Sequence, residues 1–381
     1  MSKSILYRSF VTAIIVLLFI SSIAFLYVKG QEEDTWLNLA SMKEARYGLG
    51  VVEENGKIYA MGGYPGSGPA TDINEEYDPQ TDKWTTKASM PEPMYDFGIT
   101  VYTGKIYCFS GETGSTYAYT PLYDTWETKT PLPNPRQGIT ANTLNDRIYI
   151  IGGNTKIMNV YDPSNDSWNT KAPILYNFGG YTQGCSSVVF NDKIHVFGAT
   201  PREFSHQIYD PTTDSWSLGE PLIDRYYFSI ACATTGVNAS KQIYVFGTDR
   251  DLWGLDTPAL TSQSYNPKIG NWNRVSVIPS GHLNGGAANI DDKLYVIGGA
   301  GAGYSNVIFA NSLSRLYIPI GYGKTDASYI PATPSPTPTI EPTPTPDNQQ
   351  TLNTETIIGT AIIIAVLGTG IGLLMYLLKR H

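Results

Sequence analysis

Charged residues are scarce in this chain. They make up 16% of its 381 residues, against about 25% in an average soluble domain. The net charge is −8, and no run of lysines or arginines occurs away from the two ends. Because a protein needs clustered positive charge to neutralise a phosphate backbone, we expect no nucleic-acid partner. The surface must be polar mainly through Thr, Ser, Asn, Gly and Tyr.

Cysteine and histidine are equally scarce, with three and four residues. No CxxC pair or Cys/His zinc spacing occurs, so we predict no metal and no cofactor. The sequence also lacks a glycine-rich phosphate loop and a nucleophile elbow, and therefore nominates no catalytic residue. Cys185 and Cys232 fall in corresponding strands of neighbouring repeats, which leaves a disulfide conceivable. We expect buried free thiols instead, and Cys108 is unpaired under either interpretation.

Long apolar segments occur near both ends. Residues 10–28 are apolar and follow Lys3 and Arg8, a pattern typical of export. We interpret residues 1–30 as a cleaved signal peptide or a retained signal anchor, and the sequence leaves both open.

The second apolar segment, residues 357–378, is long enough to cross a bilayer and is predicted to be a transmembrane helix. Residues 379–381 would form a cytoplasmic tail under the positive-inside rule. Residues 324–356 are rich in Thr and Pro and predict an extended stalk. The expected protein is a cell-membrane protein with one span, or two if the first segment is retained, and with residues 31–323 outside the cell. In layout alone it resembles archaeal envelope proteins.

Tryptophan marks an internal repeat. Phrases such as Glu76-Tyr-Asp-Pro-Gln-Thr-Asp-Lys-Trp84 recur along the chain, with gaps between their tryptophans of 48, 42, 42, 48 and 56 residues. The six repeat tryptophans are Trp36, Trp84, Trp126, Trp168, Trp216 and Trp272. A period of about 40 to 50 residues indicates a repeat array.

Each unit also contains a short β-branched or aromatic run that ends in glycine, as in Lys57-Ile-Tyr-Ala-Met-Gly-Gly63. Such runs predict a strand followed by a turn. In the first unit we predict strands a to d at residues 47–53, 57–63, 73–77 and 83–88. The glycine pair, the later Tyr and the Trp resemble the kelch repeat, and the resemblance covers roughly residues 36–319. It implies an all-β, six-bladed β-propeller over residues 31–323.

The sixth unit lacks a tryptophan after its third strand, whereas Trp36 precedes the first complete unit. We therefore predict that the N-terminal strand is the fourth strand of the last blade and closes the ring. Strands alternate in direction, so the a–b and c–d turns lie on one face, named here the c–d face. The loops from b to c and from d to a lie on the other, named the d–a face. Both tethers and the sequon asparagines Asn165 and Asn238, which are predicted glycosylation sites, are assigned to the c–d face.

The d–a face is the predicted ligand site. Arg46, Arg136 and Arg225 follow their tryptophans by ten, ten and nine residues. Guanidinium groups hold carboxylates, and aromatic rings stack on sugars or peptides. The predicted site, at the mouth of the central channel, comprises Arg46, Tyr47, Tyr95, Arg136, Arg225, Tyr226, Trp253 and His282. The alternative for each arginine is a structural role in packing and bonding neighbouring loops.

Three functions are compatible with this pattern. We favour a cell-surface binding module for a glycan, peptide or surface protein. The second is an extracellular enzyme acting on an acidic sugar, resembling the sialic-acid epimerase or galactose-oxidase types of kelch ring. A carboxylate or Tyr within reach of the arginines would favour that enzyme. The third is a structural envelope component.

Overall fold

Short antiparallel strands joined by tight turns make up the part of the chain that can be described. The computed structural model describes residues 33–178, 185–199, 204–224, 226–249, 260–279, 282–302, 308–320 and 322–323. The predicted signal or anchor, stalk, transmembrane helix and tail lie outside the described residues. None of the described residues forms a helix long and apolar enough to cross a membrane.

The described residues form six four-stranded sheets. Strand β1 spans Thr35–Leu39 and belongs to the last blade. Blade 1 contains β2 (Gly50–Glu54), β3 (Lys57–Met61), β4 (Asn74–Asp78) and β5 (Lys83–Thr86). Blade 2 contains β6 (Gly98–Tyr102), β7 (Lys105–Phe109), β8 (Thr116–Thr120) and β9 (Thr125–Lys129). Blade 3 contains β10 (Ile139–Leu144), β11 (Arg147–Gly152), β12 (Met158–Asp162) and β13 (Ser167–Lys171).

Blade 4 contains β14 (Ser186–Phe190), β15 (Lys193–Ala199), β16 (Phe204–Asp210) and β17 (Ser215–Leu218). Blade 5 contains β18 (Tyr226–Ala233), β19 (Ile243–Asp249), β20 (Leu260–Asn266) and β21 (Asn271–Arg274). Blade 6 contains β22 (Gly286–Ile290), β23 (Lys293–Ile297) and β26 (Ser314–Ile318), with β1 as its outer strand. A small hairpin of β24 (Ala300–Ala302) and β25 (Ile308–Ala310) extends its b–c loop. The all-β six-bladed propeller is confirmed.

Ring closure by the N-terminal strand is also confirmed. Strand β1 pairs antiparallel with β26, with Trp36 opposite Tyr317. Thr35 begins β1 and Ile318 ends β26, and the two residues are register partners. The chain therefore enters and leaves the ring on the c–d face, as the alternation of strand directions predicted.

The apolar core is divided among the blade interfaces. Each of the six core clusters combines side chains from two adjacent blades, as in the cluster of Tyr59, Met61 and Ile106 between blades 1 and 2. Burying one such side chain contributes about 1.5 to 3 kcal/mol. Because no blade buries its faces alone, the ring must be complete to be stable.

The repeat tryptophans link successive blades. The indole of Trp84 donates a hydrogen bond to the carbonyl of Ala40, and that of Trp126 to the carbonyl of Ala88. The remaining four tryptophans make the same bond to the preceding blade. The acceptor is always the residue four positions after the preceding repeat tryptophan. The repeat phrase is therefore a device for joining blades as well as a sign of repetition.

The inner strand of blade 1 is shorter than predicted at its start. It begins at Gly50 instead of residue 47, because Tyr47 pairs with Tyr64 outside the sheet and Gly48 adopts a left-handed conformation. Strand b ends at Met61 because Gly62 and Gly63 both have positive φ. The predicted a strand therefore contains part of the loop that lies over the channel.

Candidate functional site

The innermost strands of the six blades enclose a central cavity of about 200 Å³. Serine and threonine hydroxyls line it beside apolar side chains, and these hydroxyls bond to one another and to the neighbouring Asn142. Thr140 Oγ1 lies 2.6 Å from Ser187 Oγ, Asn142 Nδ2 donates to Ser187 over 2.7 Å, and Ser186 Oγ lies 2.8 Å from Ser229 Oγ. A cavity with such walls suits a neutral, hydroxyl-rich ligand.

A collar of loop residues surrounds one mouth of the cavity. Gly48 N donates to Asn284 O, Asp96 N donates to Gly48 O, and Gly138 N donates to Asp96 O. All four lie twelve residues after their repeat tryptophan, and all four have φ between 47° and 73°. Gly, Asn and Asp tolerate this left-handed conformation better than other residues. The recurring Gly, Asp or Asn at this spacing is the sequence signal for the collar, and these residues were absent from the predicted site.

Three partly exposed tyrosines stand beside the collar. The ring centroids of Tyr47 and Tyr64 are 5.4 Å apart, and those of Tyr64 and Tyr95 are 6.1 Å apart. Backbone bonds in both directions join Tyr47 to Tyr64. Gln137 Nε2 donates to the Tyr95 hydroxyl over 3.3 Å. We call Tyr47, Tyr64 and Tyr95 the tyrosine platform. It unites two residues predicted for the site with Tyr64, which sequence reasoning missed.

Asp96 supplies negative character at the cavity mouth. It lines the cavity, and its Oδ1 accepts a 2.6 Å hydrogen bond from Asn284 Nδ2. Burial raises the pKa of this carboxyl, and the bond from Asn284 partly opposes that change. Burial, followed by the neighbouring Tyr64 and Asp96, also raises the pKa of Tyr47. The mouth thus offers hydrogen-bond acceptors and aromatic surface rather than positive charge.

Arg46 is not at the mouth, which corrects the predicted site. Its side chain is fully buried, and Nη2 contacts Glu75 Oε2 at 2.6 Å. Nη1 donates to the carbonyls of Gly62 and Ile73. Burial lowers the pKa of Arg46, and Glu75 opposes this. A carboxylate does lie within reach of Arg46, but the pair is enclosed in blade 1, because the guanidinium is needed to hold the loops there.

Arg136 occupies the corresponding place in blade 3. Its Nε donates to Gly152 O at 2.9 Å and its Nη1 to Asn159 Oδ1 at 2.8 Å. Nη2 donates to Ile157 O, and burial lowers the pKa of Arg136 to about 10. Tyr95 is not equivalent to these arginines, since the residue ten positions after Trp84 is the buried Met94. The contacts of Arg46 and Arg136 therefore fit the alternative role, in which each arginine packs against and bonds neighbouring loops.

The remaining residues of the predicted site do not join the tyrosine platform. His282 is buried, and its Nδ1 lies 2.7 Å from Gly298 O, so it joins its d–a loop to the b–c loop of blade 6 rather than facing the mouth. Tyr226 begins β18. Arg225 and Trp253 lie outside the described residues. The structure therefore brings together Tyr47 and Tyr95 from the predicted set.

Comparison with known proteins supports the repeat assignment. The kelch motif family matches residues 45–91, which contain strands β2 to β5. The first blade is a kelch motif. A solved structure titled "Structure of YjhT" matches the kelch propeller with a TM-score of 0.57 and 17% identity, over 73% of this chain and 96% of that one. At this identity the likeness supports the fold alone. No curated protein sequence matches the chain.

Two histidines lie inside the kelch propeller rather than in a site. His195 Nδ1 is 2.8 Å from His206 Nε2, and His206 Nδ1 is 3.0 Å from Glu220 O. Both side chains are buried in blade 4. Within the described ranges, no group of three or more His, Cys, Asp or Glu side chains is arranged to hold a metal ion. The three cysteines are free, and burial raises the pKa of Cys185 and Cys232 to about 12.

The two sequon asparagines differ in their surroundings. Asn165 is exposed in the c–d turn of blade 3. Asn238 donates its backbone N–H to Asp292 Oδ2 at 2.7 Å, and its carbonyl accepts from Gly323 N at 2.6 Å. Ala239, the middle residue of that sequon, is fully buried. The second sequon is therefore packed against blade 6 instead of standing free.

Proposed function

We propose that this kelch propeller is a cell-surface binding module that recognises a neutral carbohydrate on its d–a face. The observation that carries the proposal is the tyrosine platform beside Asp96 at the mouth of the cavity. Tyr47 and Tyr95 each immediately precede a collar residue. Aromatic rings stack on the apolar faces of sugars, and Asp96, Asn284 and Gln137 supply polar groups for sugar hydroxyls.

The charge at the mouth supports a neutral ligand over an acidic one. Arg46 is enclosed with Glu75, and Arg136 bonds to carbonyls and Asn159. An anionic sugar would instead meet Asp96. Among the described residues at the mouth, the polar groups are a carboxyl and neutral amides and hydroxyls. A sugar that donates hydroxyl hydrogens fits this set, since a carboxylate accepts and cannot donate.

Glycan-array binding by the purified full chain tests this proposal. We expect Tyr47→Ala and Tyr95→Ala each to weaken binding of a neutral glycan about tenfold, which corresponds to about 1.4 kcal/mol. Asp96→Asn should weaken it as well, because the amide loses acceptor strength. Tyr176→Ala is the matched control, since Tyr176 is an exposed tyrosine on the same face but outside the platform.

Unchanged binding by the platform variants would contradict the proposal. Stronger binding of acidic sugars than of their neutral analogues would also contradict it, and would favour the enzymatic alternative instead. If peptides bind and no glycan does, the site recognises a protein partner and the proposal is wrong.

A further inference from the structure

The c–d turn of blade 2 exposes two apolar side chains side by side. Leu122 is 81% and Tyr123 72% exposed. The same two turn positions hold Gln80-Thr81, Ser164-Asn165 and Thr212-Thr213 in blades 1, 3 and 4. The turn itself requires only its aspartate in the left-handed conformation. The apolar pair is therefore not explained by the fold.

Blade 5 carries a second apolar turn. Ile269, in the c–d turn between β20 and β21, is 65% exposed. Blades 2 and 5 are three positions apart in a ring of six, so their turns lie on opposite sides of the channel axis. Both turns lie on the c–d face. Because these two apolar turns lie on opposite sides of one face, they can both contact an extended flat surface.

The chain is tied to this same face. Seven Cα steps separate Val28, the last residue of the first apolar segment, from Thr35 at the start of β1. Such a link spans at most about 25 Å. Pairing of β1 with β26 holds Thr35 at the c–d edge of blade 6. If the apolar segment is held in a bilayer, the c–d face cannot move far from the bilayer surface.

Charges along this edge are largely paired within their own blades. Lys57 contacts Asp78 at 2.8 Å, Arg147 contacts Asp162 at 2.9 Å, and Lys193 contacts Asp210 at 2.9 Å. Lys105 contacts Glu127 in the same way. These cations are therefore poorly suited to attract anionic headgroups. Contact through apolar side chains, with no need for anionic lipid, fits the edge better.

We infer that the c–d face rests on a neutral lipid surface, with Leu122, Tyr123 and Ile269 entering the headgroup region while residues 10–28 remain as a membrane anchor. Tyrosine and aliphatic side chains favour this interfacial zone. Exposed apolar side chains such as Ile223 and Val277 also lie in d–a loops on the opposite face. No tether leads there. The inference rests on the proposed surface location, and it turns the carbohydrate-binding face outward.

Fluorescence quenching by lipids tests the contact on the full chain in phosphatidylcholine vesicles. Tyr123→Cys is labelled with a fluorophore, and the quencher is attached to the lipid near the headgroup. Cys108 and Cys232 are buried and suited to remain unlabelled, whereas Cys185 is only partly buried and is replaced by serine in every labelled protein. Ile223→Cys, at an exposed apolar residue of the opposite face, is the matched control. We expect about twofold stronger quenching at position 123 than at 223, because interfacial groups enter only the outer part of the acyl region.

A second variant separates apolar contact from mere proximity. With a label at Ile269→Cys, the additional changes Leu122→Asn and Tyr123→Asn should reduce quenching, since the opposite anchor is lost. Equal quenching at 123 and 223 would overturn the inference. So would no response to the asparagine changes, or a mature N-terminus that begins after residue 28. Glycan binding measured on the same vesicles distinguishes these failures from failure of the proposed function.

Discussion

At the scale of single residues, the turn aspartates do more than shape their turns. Asp82 has φ 51°, and its Oδ1 accepts bonds from the Tyr77 hydroxyl at 2.7 Å and from Ala40 N at 2.8 Å. One carboxylate thus stabilises a left-handed turn, satisfies a buried tyrosine and joins two blades. Four other turns repeat the arrangement, through Asp34, Asp124, Asp166 and Asp214. In blade 5 the same place is taken by Gly270.

Gly270→Asp should therefore stabilise the protein. Gly270 has φ 68°, and a Cβ placed there meets nothing within 4 Å. The new carboxylate would accept from Tyr265, which is partly exposed in the native chain. We expect a gain of about 1 kcal/mol in the free energy of unfolding, measured by thermal unfolding of the full chain.

Asp214→Gly is the matched reverse change. It removes bonds from Tyr209 and from Ala172 N, and leaves the Tyr209 hydroxyl without its partner. We expect a loss of about 2 kcal/mol. A stability unaffected by either change would contradict the bridging role assigned to the carboxylate.

Glycosylation should distinguish the two sequons if the propeller is exported as proposed. Asn165 is exposed, whereas Asn238 is fixed by Asp292 and Gly323. We expect the mass of the native protein to fall by one glycan on Asn165→Gln and to stay unchanged, apart from the side chain, on Asn238→Gln. Glycan on Asn238 alone would show that this loop opens before it packs.

At the scale of elements, strands β15 and β16 differ from their counterparts in other blades. His195 stands where Tyr59, Tyr107 and Tyr149 occupy the same strand position. Because a carbonyl can only accept, the Nδ1–H of His206 donates a hydrogen bond to Glu220 O. The Nε2 of His206 then accepts a hydrogen bond from the Nδ1–H of His195. Gly219 makes room, since a Cβ there would lie 2.3 Å from the His206 ring.

This histidine pair should make the protein sensitive to acid. Burial lowers the pKa of His195 to about 3 and that of His206 to about 4, and for His195 the proximity of His206 adds to this. The unfolded chain binds protons as the pH falls below about 6.5, whereas the folded chain does not. Stability from both groups is complete above that pH and is lost as the pH falls from about 6.5 towards the lowered values.

We expect the free energy of unfolding to fall by up to about 1.4 kcal/mol per pH unit for each histidine in this window. His195→Tyr restores the residue type of the other blades and should flatten the pH dependence. The measurement is denaturant unfolding of the native chain and the variant between pH 7 and 4. Parallel curves for the two proteins would contradict the prediction.

At the scale of the whole molecule, stability depends on closing the ring. Trp36 donates to Ser276 O at 3.0 Å, and its ring lies 5.2 Å from that of Phe246 and 4.9 Å from that of Tyr317. These contacts join residues 210 to 281 positions apart in sequence. Ordering so long a loop costs conformational entropy that the contacts of β1 must offset.

Trp36→Ala should therefore destabilise the protein more than Trp126→Ala does. Both changes remove an indole bond and leave a cavity, which costs about 3 to 5 kcal/mol. Trp126 lies in a strand flanked by covalently continuous neighbours, whereas β1 is held in blade 6 by pairing and side-chain contacts alone. Hydrogen exchange should show lost protection in both β1 and β26 of the Trp36 variant. Equal loss of stability in the two variants would argue against a special role for closure.

The sequence by itself determined the number of blades, the strand that closes the ring and the face on which each loop lies. These properties follow from spacing and from the alternation of strand direction, which are local and periodic. It also indicated Tyr47 and Tyr95, which the structure places together with Tyr64. It did not distinguish arginines that bind ligands from arginines that hold loops, because both roles place Arg at the same spacing.

Only the tertiary structure decided that question. Arg46 turns into blade 1 because Glu75 and two carbonyls lie there, and none of these partners is near it in sequence. Tyr64 joins the tyrosine platform through a bridge between loops, and Asp96 reaches the cavity through the collar. Contacts between distant segments have no period along the chain. They exist only once the blades stand in a closed ring, so the ring is what converts a repeat into a site.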